Sequence, residues 1–121
     1  MKATLSQIRE FLCIFKMAGE KERIRFVGRE KNWDYLADTL ITASMREEAL
    51  FSLSVLDYVD GPLPDKDIVG ELWIFGAKVF GQEIYSKLKV VIIDERIFAK
   101  CISFHRPEHP LRYPFRDERD Q

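Results

Sequence analysis

Between Gly70 and His105 the chain reads GELWIFGAKVFGQEIYSKLKVVIIDERIFAKCISFH, and the fold turns on how this stretch alternates. From Glu83 to Val91, the residues Ile84, Ser86, Leu88 and Val90 fall on one side of a period-two strand, and Tyr85, Lys87, Lys89 and Val91 fall on the other. The first set has the composition of a core face. The second cannot be buried bare, because an unpaired ammonium taken out of water costs several kcal/mol. The lysine face is therefore expected to meet water, acidic side chains or a ligand, and an aromatic, cationic sheet face suits a phosphate.

Outward from that strand, residues 70–78, 82–93 and 96–105 read as three strands joined by tight turns at Phe80-Gly81 and Asp94-Glu95. Connections that short make an antiparallel meander. Pro107, Pro110 and Pro114 then stop the last strand, so the tail is expected to run extended over the surface or to pack back on the sheet, with residues 117–121 frayed. Upstream, residues 60–67, DGPLPDKD, read as a loop.

Thr4 with Gln7 makes a capping box for an amphipathic helix over 5–18, carried by Leu5, Ile8, Leu12 and Phe15 and ended by Gly19. Residues 23–27 alternate as a short edge strand, whose basic side chains discourage pairing between molecules. Asn32 is positioned to cap a helix over 33–40, and Thr42 or Ser44 a second over 45–56. The division is a helical and edge-strand part over 1–59, a loop over 60–68, a meander over 69–105 and a proline-rich tail over 106–121. At 121 residues the chain is expected to form one α+β domain, long enough to bury a core without metal or disulfide staples.

Nineteen basic against twenty acidic side chains leave a formal charge of −1, so only a local basic patch could hold a polyanion. The span 78–105 is modestly basic, with Lys78, Lys87, Lys89, Arg96 and Lys100 against Glu83, Asp94 and Glu95. Cys13 and Cys101 lie in apolar contexts without CxxC spacing and are expected as buried, reduced thiols. With no signal-like segment and no long apolar run, the expected location is the cytoplasm, with no membrane contact.

The order of signals, FVGREKN, DYVDGPLPD, ELWIFGAKVFGQEIYSKLKVV and KCISFHRPEHPLRYPF, resembles the MqsR-family toxins of bacterial type II toxin–antitoxin systems. The likeness spans roughly residues 5–115 and is closest to the long-tailed branch. It implies a RelE-like α+β fold, in which N-terminal helices pack on a C-terminal antiparallel meander with a short additional edge strand. It also implies sequence-selective mRNA cleavage without a metal or other cofactor. The implied partner is a cognate antitoxin of zinc-finger and helix-turn-helix type, and the toxin alone is not expected to bind DNA. The positions matching the family's lysine and tyrosine site are Tyr85, Lys87 and Lys89.

Cleavage of this kind needs a group to take the proton from a 2′-hydroxyl, cations to stabilise the phosphorane, and an acid for the leaving 5′-oxygen. Lys87 and Lys89 could converge on one phosphate, their repulsion helping one of them to release a proton. Tyr85 could stack on a base or donate its phenolic proton. His105 ends the neighbouring strand and has the side chain suited to acid or base work, though bonding to backbone is as natural a use for a strand-end histidine. Arg112 and Tyr113 could return from the tail to clamp a phosphate, or anchor the tail by packing and ion pairing, and Lys100 and Arg29 could extend the RNA surface. Cys101, His105 and His109 invite a zinc reading, but the prolines prevent the helix such spacing exploits, and no metal site is expected. Trp33 and Trp73 read as core or interface aromatics. The alternatives to a free-RNA nuclease are a non-catalytic protein- or RNA-binding domain and a ribosome-dependent mRNA nuclease.

Overall fold

The computed structural model describes residues 2–27, 41–66 and 70–116. Their elements are α1 (Leu5–Glu22), β1 (Ile24–Phe26), α2 (Ala43–Phe51), a 3₁₀ turn (Val55–Asp57), β2 (Tyr58–Pro64), β3 (Glu71–Val79), β4 (Gln82–Ile93) and β5 (Arg96–His105). The strands form one mixed sheet in the order β1-β5-β4-β3-β2. The expected meander is its centre: β3, β4 and β5 pair antiparallel, and β1 lies parallel to β5 at one edge. The helix expected over 33–40, which begins with Trp33, and Arg29 before it lie outside the described residues.

The alternation along β4 sorts the sheet into two faces. Ile84, Ser86 and Leu88 are fully buried, and with Trp73, Phe75, Ala77, Ala99, Cys101 and Phe104 they form the inner face. Against it α1 lays Ile8, Phe11, Leu12 and Phe15, and α2 adds Leu50. Aromatic rings carry much of this core: Phe11 stacks on Trp73 at 4.6 Å between centroids, and Tyr58 meets Trp73 and Phe75 edge-on. The polar atoms within it are answered, with Ser86 Oγ donating to Phe75 O at 2.8 Å and Tyr58 Oη accepting from Ala3 N and donating to Gly61 O.

Four expectations about the elements need correction. Gly19 does not end α1, which runs one turn further. Its missing Cβ instead admits Ile24 and Phe51, the nearest atom only 2.9 Å from where a Cβ would stand, and the helix ends at Arg23, where φ is +68°. The second helix is Ala43–Phe51 and is shorter than expected; Thr42 caps it through Met45 N at 3.1 Å, and a separate 3₁₀ turn follows. The stretch read as a loop over 60–67 continues β2 as far as Pro64. Pro62 and Pro64 are tolerated because β2 is an edge strand, where a missing N–H need not break a ladder, and its pairing with β3 slips twice. Cys13 is exposed on α1, whereas Cys101 is fully buried on the inner face and burial pushes its thiol up to about 12.

The tail packs back on the outer face. Tyr113 lies over Gly76, where a Cβ would sit 2.7 Å from its ring, and its hydroxyl donates to Glu83 Oε1 at 2.5 Å. Phe115 reaches Tyr58 at 5.9 Å, and Arg116 donates to Leu56 O and Asp57 while stacking on Tyr113. Placing alanine at Gly76 should displace this ring and destabilise the fold by about 1–3 kcal/mol, read as an earlier urea midpoint. A thiol reagent at pH 8 should modify one equivalent, at Cys13, and reach Cys101 only after unfolding.

Candidate functional site

The outer face of the sheet carries the residues singled out in the YSKLK strand. Cross-strand register places Tyr85 opposite His105 on β5 and Gly76 on β3, and Lys87 opposite Ser103 and Ile74. The chain turns at Pro107 and comes back alongside these strands, so that Tyr85, Lys87, His105, His109 and Arg112 line one groove of about 520 Å³. Val59 of β2 and Glu108 of the tail complete its walls. Three segments distant in sequence therefore meet at one place: β2, the middle of β4, and the end of β5 with the proline-rich tail that follows it.

Within the groove the rings of Tyr85 and His105 stack, with centroids 5.1 Å apart and planes 19° from parallel. His105 Nδ1 lies 2.8 Å from Arg106 O. A carbonyl only accepts, so Nδ1 carries the proton and, in the neutral ring, Nε2 holds the free lone pair. Backbone bonding and acid–base readiness, weighed as alternatives for His105, are thus compatible in one ring. Burial first, and then the Asp60 and Glu108 carboxylates, push the Tyr85 phenol above its ordinary range, so it is a protonated donor at neutral pH. Lys87 is half-buried and Arg112 exposed, and neither forms an ion pair among the described residues. The acidic neighbour considered for Arg112 as a tail anchor is not found there.

Lys89 is elsewhere. It points from the same side of β4 as Lys87, but its side chain is only 2% exposed and its Nζ meets Asp65 Oδ2 at 2.7 Å. Asp65 N donates to Gly70 O at 3.2 Å, and Gly70 lies so close to the lysine that a Cβ on it would stand 2.7 Å from Lys89 Cε. The expectation of two open lysines converging on one phosphate is therefore corrected: Lys87 lines the groove, and Lys89 is buried against Gly70 and paired with the Asp65 carboxylate. Alternation told which face Lys89 takes but not that Asp65, 24 residues earlier, would pair with it.

Tyr113 is engaged with Glu83 and Gly76, a structural use of the ring that holds Arg112 beside the groove. Its phenol is raised by burial and by the Glu83 hydrogen bond. Lys100 stands on the outer face opposite Lys89, away from the groove. Gln82, the first residue of β4, is exposed beside the β3–β4 turn and does not line it. Cys101 faces the core while His105 faces outward, so the zinc reading loses its third ligand. Among the described residues no group of three or more His, Cys, Asp or Glu is placed to hold a metal ion, and no helix is long and apolar enough to cross a membrane. Sequence reasoning passed over Val59, Glu108 and His109 as groove residues; the signal for the last two was their position in a segment that prolines force to turn back.

The buried pair gives a direct test. Removing the carboxylate in Asp65→Ala leaves a buried ammonium without its partner and should cost about 3–5 kcal/mol, and Lys89→Met, which strands the carboxylate, should also destabilise, whereas the double variant Asp65→Leu, Lys89→Met, which replaces the whole pair by apolar groups, should be close to neutral; urea unfolding of the three variants measures the difference. No family model, curated protein or solved structure matches this chain.

Proposed function

We propose that this chain is a metal-independent endoribonuclease that cuts single-stranded mRNA by attack of a 2′-hydroxyl on the adjacent phosphorus. The observation that carries the reading is the convergence of Tyr85, Lys87, His105 and Arg112 on one groove, with His105 Nε2 left as a lone pair. Three chemical needs of the reaction have a matching group. His105 Nε2 takes the 2′-hydroxyl proton as the 2′-oxygen–phosphorus bond forms. The Arg112 fork and the Tyr85 phenol neutralise and hydrogen-bond the non-bridging oxygens as charge gathers there. Lys87 returns a proton to the 5′-oxygen as its bond to phosphorus breaks, which leaves a 2′,3′-cyclic phosphate and a 5′-hydroxyl.

This assignment uses one lysine where the YSKLK resemblance implies two, and it moves the second cation to Arg112. A RelE-like relationship and an antitoxin that silences the protein belong to the same reading; an antitoxin laid over the groove would block Lys87 and Arg112 together. The Lys89–Asp65 and Tyr113–Glu83 engagements, which withdraw two groups from the face, favour a second reading in which the groove binds RNA or protein without cutting it.

Purified protein incubated with a long single-stranded RNA in EDTA should give discrete cuts with cyclic-phosphate ends. Lys87→Ala and His105→Ala should each slow cleavage by about 10²–10⁴-fold, while Lys89→Met should keep most of the wild-type rate. Loss of cutting in Lys89→Met with His105→Ala fully active would reject the assignment. Binding without any cutting by folded wild-type protein would leave the non-catalytic reading, and cutting only on ribosomes would leave the ribosome-dependent one.

A further inference from the structure

Away from the groove, the outer face carries a transverse row of three cations. Arg25 on β1 pairs in register with Lys100 on β5, and Lys100 pairs in register with Lys89 on β4. Adjacent strands run about 4.8 Å apart, and like charges set directly opposite one another across strands destabilise a sheet. Only Lys89 has a carboxylate, Asp65. Neither Arg25 nor Lys100 has an ion pair among the described residues. Protection of a sheet edge would account for Arg25, since β1 is an edge strand, but β5 and β4 are interior strands and need none. Nor is the row part of a generally basic molecule, whose formal charge is −1.

The arginine is also held in a recognising posture. Its Cζ stands 4.4 Å from the centre of the buried Phe98 ring, which lies on the same face. The Arg96 guanidinium meets that ring too, at 5.2 Å, but is paired with Glu22. A guanidinium resting on an aromatic ring keeps its N–H edge free for a planar, two-point contact with a phosphate at little entropic cost. Lys100, one strand away, adds a second positive charge to the same point.

We infer that Arg25 and Lys100 form a phosphodiester-binding subsite that holds the RNA strand on the outer face at a distance from the cutting groove. The inference rests on the ribonuclease reading for the identity of the polyanion. Lys100 lies five residues before His105 on β5, about 15 Å along the strand, so a substrate must extend beyond the nucleotides flanking the cut to reach it. The subsite reads no base; it adds affinity to longer RNA and sets which way the strand leaves the groove.

The test uses RNA with 2′-O-methyl groups, which cannot be cut, in lengths of two and twelve nucleotides, with binding followed by fluorescence anisotropy over a series of salt concentrations. For the twelve-nucleotide strand, the Arg25→Ala, Lys100→Ala variant should lower the slope of log affinity against log salt by about 1.4, from two phosphate contacts at about 0.7 each. For the dinucleotide the two proteins should bind alike. The charge-preserving Arg25→Lys, Lys100→Arg variant should keep the wild-type slope, which separates charge from damage to the fold. An unchanged slope on the longer strand, with wild-type protein that binds and cuts RNA through Lys87, would overturn the subsite alone. Loss of binding to a poly-glutamate peptide but not to RNA would overturn it in favour of an acidic protein partner. Failure of the wild type to bind either RNA would overturn both the subsite and the function it rests on.

Discussion

The described helices pack on one side of the sheet, and on its other side the chain's own tail is docked. The contact that makes it possible is Tyr113 lying on Gly76, with its hydroxyl tied to Glu83. Any side chain at position 76 would hold the ring off the sheet. With the ring seated, the residues before it are drawn alongside β4 and β5, and Arg112 stands beside Lys87 and His105. The groove is therefore a consequence of tail docking as much as of strand alternation.

The cations of the outer face are treated in three ways by their surroundings. Lys89 is buried against Gly70 and neutralised by Asp65, so each charge of the pair depends on the other. Lys87 and Arg112 have no ion pair among the described residues and line a cavity. Arg25 and Lys100 have no ion pair among the described residues, with the buried Phe98 ring beneath the arginine. An anionic polymer crossing this face would meet free positive charge at two places, separated by a lysine already satisfied. That pattern explains how a chain with no net positive charge could still hold RNA locally.

Rigid support lies directly behind the site. Tyr85 and Lys87 alternate with Ile84, Ser86 and Leu88, all fully buried against the aromatic core. Ser86 Oγ binds Phe75 O across the strands, and the extra residue in the β4–β5 ladder, Ile102, shifts the register so that Ser103 comes opposite Lys87 and His105 opposite Tyr85. The stacked Tyr85 and His105 rings are the direct product of that register.

Local sequence determined the three central strands and their faces, though not β2, whose residues read as a loop. Period-two alternation, two tight turns and three prolines are short-range signals, and residues 82–93 and 96–105 form strands with the bounds they predict. The Thr4–Gln7 capping box likewise marks the start of α1 by itself. What alternation could not tell was which of two equivalent lysines stays open, because that depends on Asp65 just after β2, and pairing with another segment leaves no mark in a strand's own pattern. The role of Gly19 was hidden for the same reason: a helix-ending glycine and one that admits a neighbour look alike until the neighbour is known. The pairing of Arg25 with Lys100 and the meeting of Arg112 with His105 were decided only by tertiary structure, since each joins segments whose contact follows from strand order and tail docking, not from spacing.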